Sequence, residues 1–241
     1  MKISVLTPSY NSGSYLERAI ESVNIQGYKN YEHIVADGGS NDETVEILKR
    51  YPHIKYVSEP DQGQSDAMNK AFMMSSGDII VYLNADDEFA PDAFQKIIDV
   101  FEQDNHIDMV VGNLLFLSAE ESLVRVPSPK YLDVMLYWKN LFPNNPVSYF
   151  YKRSVQIAIG EFPVDNHYAM DIWFLLKVYK EFKIAKIDEI LGTFHSDGAN
   201  KTAVADTGAM LHSSVKNHLK AESPLLLPYF YFQLALSHLK S

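Results

Sequence analysis

The chain has 241 residues, carries 31 acidic against 21 basic side chains for a formal charge of −10, and contains no cysteine. That length suits one full-size α/β domain with a real core, and the missing cysteine excludes disulfides, iron–sulfur clusters, thiolate zinc sites and cysteine nucleophiles. The acidic excess argues against nucleic acid as a partner, because phosphate neutralisation needs a basic face, but leaves open phosphate met through a divalent metal.

Met1 to Ser9 holds one lysine and an apolar run too short for a signal peptide, so a cytoplasmic chain is expected. Ile3 to Thr7 reads as a strand, and Tyr15 to Ile25 as a helix with apolar residues at Leu16, Ala19, Ile20 and Val23. His33 to Ala36 is a second strand. Ser40 and Glu43 have the spacing of a capping box opening a second helix. Ile54 to Val57 is a third strand, and Gln64 to Ser75 a third helix closed by Gly77. Ile79 to Leu83 lacks polar alternation and predicts a strand buried on both faces. Pro91 then falls in the first turn of a fourth helix.

Strict strand–helix alternation implies right-handed crossovers and a parallel, doubly wound sheet, whose ligands bind beyond the carboxyl ends of the strands. Four polar segments occupy those ends: Thr7 to Asn11, Asp37 to Ser40, Ser58 to Asp61 and Asn84 to Asp87. Three carry a carboxylate, and carboxylates converging on one edge repel unless a cation or donor sits among them.

The second half is less regular. Met109 to Ser118 and Leu123 to Val126 read as strands, Tyr131 to Trp138 as a short helix and Val147 to Tyr151 as a strand. Met170 to Phe182 is a long helical pattern, Ile184 to Ile187 and Ile190 to Phe194 are short strands, and Val204 to Leu219 is a helix. The expected organisation is a single domain over 1–223, divided near Gly112 into a nucleotide half (1–112) and an acceptor half (113–223). An apolar tail, 224–241, follows. It is interrupted by Pro228, Gln233 and His238, so spanning a bilayer is not expected. Packing back on the domain, dimerisation, or lying on the inner face of a membrane all suit it.

The sharpest chemical signal is Tyr82 to Asp87, a buried strand running straight into two carboxylates. Hard oxygen ligands on a rigid strand end suit Mg²⁺ or Mn²⁺, which take one or two carboxylates and fill the shell with water and substrate phosphates. The alternative is that Asp86 and Asp87 merely cap the next helix. Gly63 to Ala67 comes within one residue of a G-x-S-x-G serine elbow, but Pro60 and Gly63 intervene where a strand should end.

In order and spacing, Thr7-Pro8-Ser9-Tyr10-Asn11, Asp37 to Asp42, Asp61 to Lys70, Gly77-Asp78 and Asn84 to Asp87 resemble the inverting glycosyltransferases of family 2. The resemblance implies a GT-A fold, a Rossmann-like, mostly parallel sheet flanked by helices with a C-terminal helical segment. It implies transfer of a sugar from a nucleoside-diphosphate donor, UDP by expectation, to a hydroxyl of a saccharide or lipid-linked acceptor in polysaccharide or glycoconjugate synthesis. Thr7, Pro8, Tyr10 and Asp37 would then hold the nucleoside, Asp37 accepting from a pyrimidine N–H. Asp61, Gly63, Ser65, Asp66 and Lys70 would line base, ribose and donor sugar.

Asn84, Ala85 and Asp86 would form the DxD motif, with Asn84 departing from its first aspartate and Asp86 as the Mn²⁺ or Mg²⁺ ligand. His195 resembles the family's late histidine that contacts metal or diphosphate. Asp171, at the start of the long helical pattern, resembles the general base, with Asp165 as rival. A helix N-terminus favours the anion a base needs. Pro143 to Ser148 would face the acceptor. A sugar nucleotidyltransferase and a nucleotide-binding module without catalysis are the competing readings. The first normally shows an arginine-containing loop after strand one, which Pro8 to Ser14 lacks.

Overall fold

The computed structural model describes residues 1–136, 141–143, 145–165, 170–196, 207–222 and 224–238. The first half alternates as expected: β1 (Ile3–Ser9), α1 (Leu16–Asn24), β2 (Tyr31–Asp37), α2 (Thr44–Lys49), β3 (Lys55–Ser58), α3 (Gln64–Met74) and β4 (Ile79–Tyr82). Then come β5 (Glu88–Phe89), α4 (Ala93–Gln103), β6 (Met109–Ser118), β7 (Ser122–Arg125) and α5 (Tyr131–Leu136). A 3-10 turn at Pro146–Ser148 leads into β8 (Tyr149–Lys152), α6 (Arg153–Ile159), α7 (Met170–Glu181) and β9 (Ile184–Ser196). The chain closes with α8 (Thr207–Glu222), a 3-10 turn at Pro224–Leu226 and α9 (Leu227–His238).

One sheet runs in the order β3-β2-β1-β4-β8-β6-β9-β5, with β7 paired to β6. β1 to β4 are mutually parallel. β8 enters antiparallel to both β4 and β6, which turns the second half into a mixed sheet. Side chains alternate across it. Ile80 and Tyr82 of β4 meet Leu6, Ile34, Tyr151 and Phe174 on one face, while Ile79 and Val81 meet Ile3, Val5, Phe94 and Phe150 on the other. β4 is therefore buried on both sides, as its uninterrupted apolar run requires.

Several local expectations give way to other arrangements. Ser40 is not a helix cap: α2 starts at Thr44, and the Asp42 carboxylate takes the Thr44 amide at 3.0 Å. The Ser40 hydroxyl instead donates to the buried Asp37 carboxylate, and its oxygen accepts from the Asn11 amide rather than from a helix-start amide. Val147 and Ser148 form the 3-10 turn rather than the start of β8. The two short strands expected at 184–187 and 190–194 are one strand interrupted by irregular pairing, in which Val111 faces Lys186 but Asn113 faces Ile190. α6 was not expected at all. The ends of the helices expected at 131–138 and 204–219, and the segments at Asn144, Tyr168-Ala169 and Asp197-Gly198, lie partly or wholly outside the described residues.

The tail forms α9, which packs on α8 and α5 with Phe230 buried, whereas Tyr231 and Phe232 remain exposed. No described helix is long and apolar enough to cross a membrane.

β2 carries three buried ionisable groups, Glu32, His33 and Asp37, and the first two lie within the strand away from its carboxyl end. Burial would raise Glu32, but Lys55 at 2.8 Å and Lys2 at 2.9 Å, with the Ser76 amide and Ser4 hydroxyl, hold it well below the usual carboxylate range. His33 is paired through Nε2 with the Thr7 hydroxyl at 2.9 Å, its Nδ1 has no partner, and burial, with nearby His53, pushes the imidazole down to about 3. A histidine whose folded value lies below its unfolded value contributes stability that is present above about 6.5 and lost as pH falls. The unfolding free-energy difference between wild type and His33→Gln should therefore shrink by about 2 kcal/mol between pH 7 and pH 5. A difference that stays constant in urea titrations across that window would refute the buried neutral imidazole. Glu32 does not interfere, since its contribution is lost as pH falls through and below the usual carboxylate range, under this window, and is common to both proteins.

Candidate active site

Register brings the first three strand ends level: Ser9 stands opposite Asp37, and Asp37 opposite Ser58. Asp37 is buried. Its Oδ2 accepts from the Ser40 amide at 2.9 Å and the Ser58 hydroxyl at 2.6 Å, and its Oδ1 from the Ser40 hydroxyl. A carboxylate has about four lone-pair sites, so Oδ1 retains capacity for one more donor. The loops after β1 and β2 are stitched together. The Asn11 amide donates to the Ser40 hydroxyl at 2.7 Å, and the Asn11 side chain, on a residue with φ +49°, accepts from the Asn41 amide at 3.0 Å. Tyr10 is 65% exposed beside this seam, available to stack on a planar ring. Pro8 is buried, and the Thr7 hydroxyl is committed to His33, so both shape the floor of the site rather than offer a side chain to it.

Asp61 lies against this floor. A Cβ on Gly38 would stand 2.7 Å from Asp61 Oδ2, so only glycine permits the approach. Asp61 also takes the Gly63 amide at 2.8 Å, and Gly63, at φ +109°, makes the turn into α3. Asp66 takes the Gln62 amide at 3.0 Å. Lys70 lies 3.0 Å from Glu59 and 3.5 Å from Asp66, anchored to the loop it was expected to serve. Ser65 is buried within α3, and β3 has ended at Ser58. This is no serine elbow.

β4 delivers the turn from Asn84 to Asp87. Asp86 is half-buried, and its carbonyl accepts from Arg18 Nη2 at 2.6 Å, which fixes the backbone from the α1 side. Asp87 is wholly buried and is the hub of the turn. Its Oδ2 accepts from the side-chain amides of Asn84 at 2.9 Å and Asn145 at 2.8 Å, and its Oδ1 from the His195 amide at 3.4 Å. Gln64 continues the chain, donating to Asn84 Oδ1 at 3.2 Å. Burial first, then the charge of Asp86, pushes Asp87 up to about 7, against the lowering effect of those three hydrogen bonds. Ala85 is buried between them. Asn84 thus spends its amide inside the protein, and Asp87 ties two distant segments, at Asn145 and His195, to its own turn.

His195 Nε2 lies 2.9 Å from Glu88 Oε1. Glu88 was not singled out from the sequence, and Asn145 only as part of the segment from Pro143 to Ser148. Asn145 precedes a proline and caps its own 3-10 turn, accepting from the Val147 amide at 2.9 Å, and that local role conceals the long-range one. Among the described residues no group of three or more His, Asp or Glu is assembled to hold a metal by itself. The donor set fits a cation that keeps most of its shell from water and phosphate: a strand-end carboxylate, Asp86, with His195 on the strand whose backbone reaches Asp87.

Asp171 occupies the first turn of α7, half-buried, where Oδ1 accepts from the Ile172 amide at 2.8 Å. After burial, its charge is the next cause that raises the Tyr149 phenol, which places the carboxylate close to the start of β8. The turn Pro146–Ser148 that leads into β8 is anchored through Asn145 to Asp87. Asp165 is exposed in the loop before α7.

Residues 4–162 match the family described as glycosyl transferase family 2, and the chain belongs to that family. It is 32% identical over 200 residues to an uncharacterized glycosyltransferase of Mycobacterium tuberculosis, covering 81% of this chain and 76% of the relative. With an uncharacterized glycosyltransferase of Nostoc it shares 30% identity over 177 residues, 68% of this chain and 54% of the relative. A chondroitin synthase of Escherichia coli is 32% identical over 126 residues, 51% of this chain and 18% of that enzyme. The chain therefore spans about half the length of the Nostoc protein. Among solved structures, Staphylococcus aureus TarS in complex with UDP-GlcNAc superposes with a TM-score of 0.73 at 18% identity, covering 91% of this chain and 66% of that one. A mannosyltransferase of Pyrobaculum calidifontis, in complex with GDP-Man and Mn²⁺, gives 0.69 at 18%, covering 95% and 68%. At that identity the likeness establishes the fold, which is GT-A.

Proposed function

We propose that the protein transfers a sugar from a nucleoside-diphosphate donor, UDP-linked, to an acceptor hydroxyl with inversion at the anomeric carbon, in the synthesis of a surface polysaccharide or glycoconjugate. The observation that carries the reading is the turn after β4. There Asp86 is presented at the strand end while Asp87, buried beside it, binds the turn to the acceptor-side residue Asn145 and to β9. Support for the donor class comes from family membership and from relatives whose structures hold UDP, UDP-GlcNAc or GDP-Man.

In this reading Tyr10 stacks on the base and the remaining acceptor capacity of Asp37 takes a ring N–H. Asp61, Gly63, Ser65, Asp66 and Lys70 shape the ribose and sugar pocket. Asp86 and His195 hold Mn²⁺ or Mg²⁺, which when bound supplies charge neutralisation for the departing diphosphate. Asp171 takes the proton of the acceptor hydroxyl as that oxygen attacks the anomeric carbon and the bond to the diphosphate breaks.

Thermal unfolding tests donor and metal together. UDP should raise the wild-type midpoint only when Mn²⁺ is present, by the equivalent of about 2.7 kcal/mol at a hundredfold excess over Kd. Asp86→Ala should abolish the shift. A UDP shift independent of both Mn²⁺ and Asp86 would overturn the metal assignment.

A further inference from the structure

The chain has four arginines, and three of them are anchored. Arg18 donates to the Asp86 carbonyl, Arg50 pairs with Glu17 at 3.2 Å and Arg153 donates to the Ser75 hydroxyl at 2.6 Å. Arg125, at the end of β7, is different. Its guanidinium carbon sits 5.0 Å from the centre of the Phe116 ring, its Nε is buried without a hydrogen-bond partner, and among the described residues no carboxylate pairs with it. In a chain with ten more acids than bases, an arginine held on an aromatic face without an acid is an outlier. A buried N–H without an acceptor marks a guanidinium whose hydrogen-bonding demand the protein itself does not meet, while Arg125 as a whole is only half-buried.

Its surroundings form a shelf. Leu114 pairs with Arg125 and Phe116 with Leu123 across β6 and β7, and Leu114 and Phe116 pair with Gly192 and Phe194 across β6 and β9. These residues share one face of the sheet. Phe116 and Phe194 meet edge to face at 5.4 Å between centroids, both half-buried. A Cβ on Gly192 would lie 2.4 Å from Val147 Cγ2, so this is the face on which the Asn145–Val147 turn rests. Phe194 precedes His195, whose amide reaches Asp87. β7 stands two strand spacings from β9, about 10 Å, so Arg125 is displaced from the turn after β4 toward the sheet edge, where among the described residues β7 pairs with β6 alone.

Building on the transferase reading above, we propose that Arg125 on the Phe116–Phe194 shelf is an acceptor subsite that binds an anionic group of the acceptor, a phosphate or a carboxylate, while the aromatic faces pack against its sugar or polyol backbone. The guanidinium supplies a planar fork of donors matched to either oxyanion, and the stack on Phe116 holds it in place beforehand. Displacement from Asp86 separates this charge from the donor's diphosphate.

The test is calorimetry on the full chain loaded with UDP and Mn²⁺. The three probes are glycerol-phosphate oligomers, glucuronate-containing oligosaccharides and neutral malto-oligosaccharides of matched length. Wild type should prefer one anionic series over the neutral one, and which anion binds tighter identifies phosphate or carboxylate as the natural group. Arg125→Gln should weaken that probe by roughly ten- to a hundredfold, remove its salt dependence and leave neutral probes unchanged. Arg125→Lys should fall between the two. UDP affinity should be the same in all variants. Equal binding of neutral and anionic probes by wild type, no binding of any anionic probe, or Arg125→Gln weakening UDP rather than the anionic probe, would each overturn the subsite. Failure of wild type to bind UDP with Mn²⁺ would instead overturn the donor-site reading on which it rests.

Discussion

Asp171→Asn is expected to lower sugar transfer by roughly 10²- to 10⁴-fold, the range a positioned general base contributes, while leaving the Kd for UDP and Mn²⁺ unchanged. The reason is local. The carboxylate lies in the first turn of α7, where a helix end favours an anion, and its Oδ1 accepts from the Ile172 amide. An amide in its place preserves size and can still accept that hydrogen bond, but cannot take a proton from the acceptor hydroxyl. Asp165, exposed in the preceding loop, provides the control: Asp165→Asn should transfer at close to the wild-type rate. If Asp171→Asn transfers normally and Asp165→Asn does not, the base is Asp165. Binding measured alongside transfer separates loss of chemistry from loss of the fold.

The second large effect concerns stability. Asp87→Ala should lower the free energy of unfolding by about 3–5 kcal/mol, because it strands the Asn84 and Asn145 amides and the His195 N–H without an acceptor and opens a hole in the core. For a chain of this length that corresponds to a drop of roughly 10 °C in the unfolding midpoint. Asp87→Asn should be much milder, since one amide oxygen still serves both asparagine donors. The pH dependence has a defined sign. With a folded value pushed up to about 7, above the unfolded carboxylate value near 4, the folded state binds the extra proton between those limits. This group therefore favours folding more as pH falls from 7 toward 4 and less above 7. In Asp87→Asn that component disappears. Scanning calorimetry of wild type and both variants between pH 5 and pH 8 checks it, and an Asp87→Ala protein as stable as wild type would contradict the hub.

The sequence reading succeeded where a run of residues carries its own cause. β4 was recognisable because Ile79 to Leu83 has no polar position, and only a strand covered on both faces tolerates that. The strand ends were legible for the same reason: polar residues directly follow apolar runs, and parallel topology puts them on one edge. The reading failed where a side chain's partner lies far along the chain. Ser40 has the spacing of a helix cap, yet its hydroxyl accepts from the Asn11 amide 29 positions away, and Asn145 looks like a turn residue, yet reaches back 58 positions to Asp87. Asn84, which stands in place of the first aspartate of the expected DxD motif, likewise has a partner 20 positions away, since Gln64 donates to its oxygen while its amide donates to Asp87. α6 escaped notice because Arg153 to Ile159 is short, contains two β-branched isoleucines and a valine, and gains its helix from packing rather than propensity.

These long-range bonds hold the two halves of the chain in different ways. The first half rests on β1 to β4, four parallel strands whose ends are fixed by register. The irregular half rests on three tethers, Asn145 and the His195 amide to Asp87 and His195 to Glu88, that fasten it to the turn after β4. Loss of a tether should misplace the acceptor relative to the donor while leaving the nucleotide bound, which is the arrangement expected of a transferase that brings two substrates to one turn.

The most direct test of the central claim is the product released from a sugar nucleotide. Wild-type protein incubated with UDP-sugars and Mn²⁺ should release UDP, slowly to water and faster with an acceptor, and release should fall in both Asp86→Asn and Asp171→Asn. Release of pyrophosphate, or no release from any sugar nucleotide that the protein binds, would contradict a glycosyltransferase.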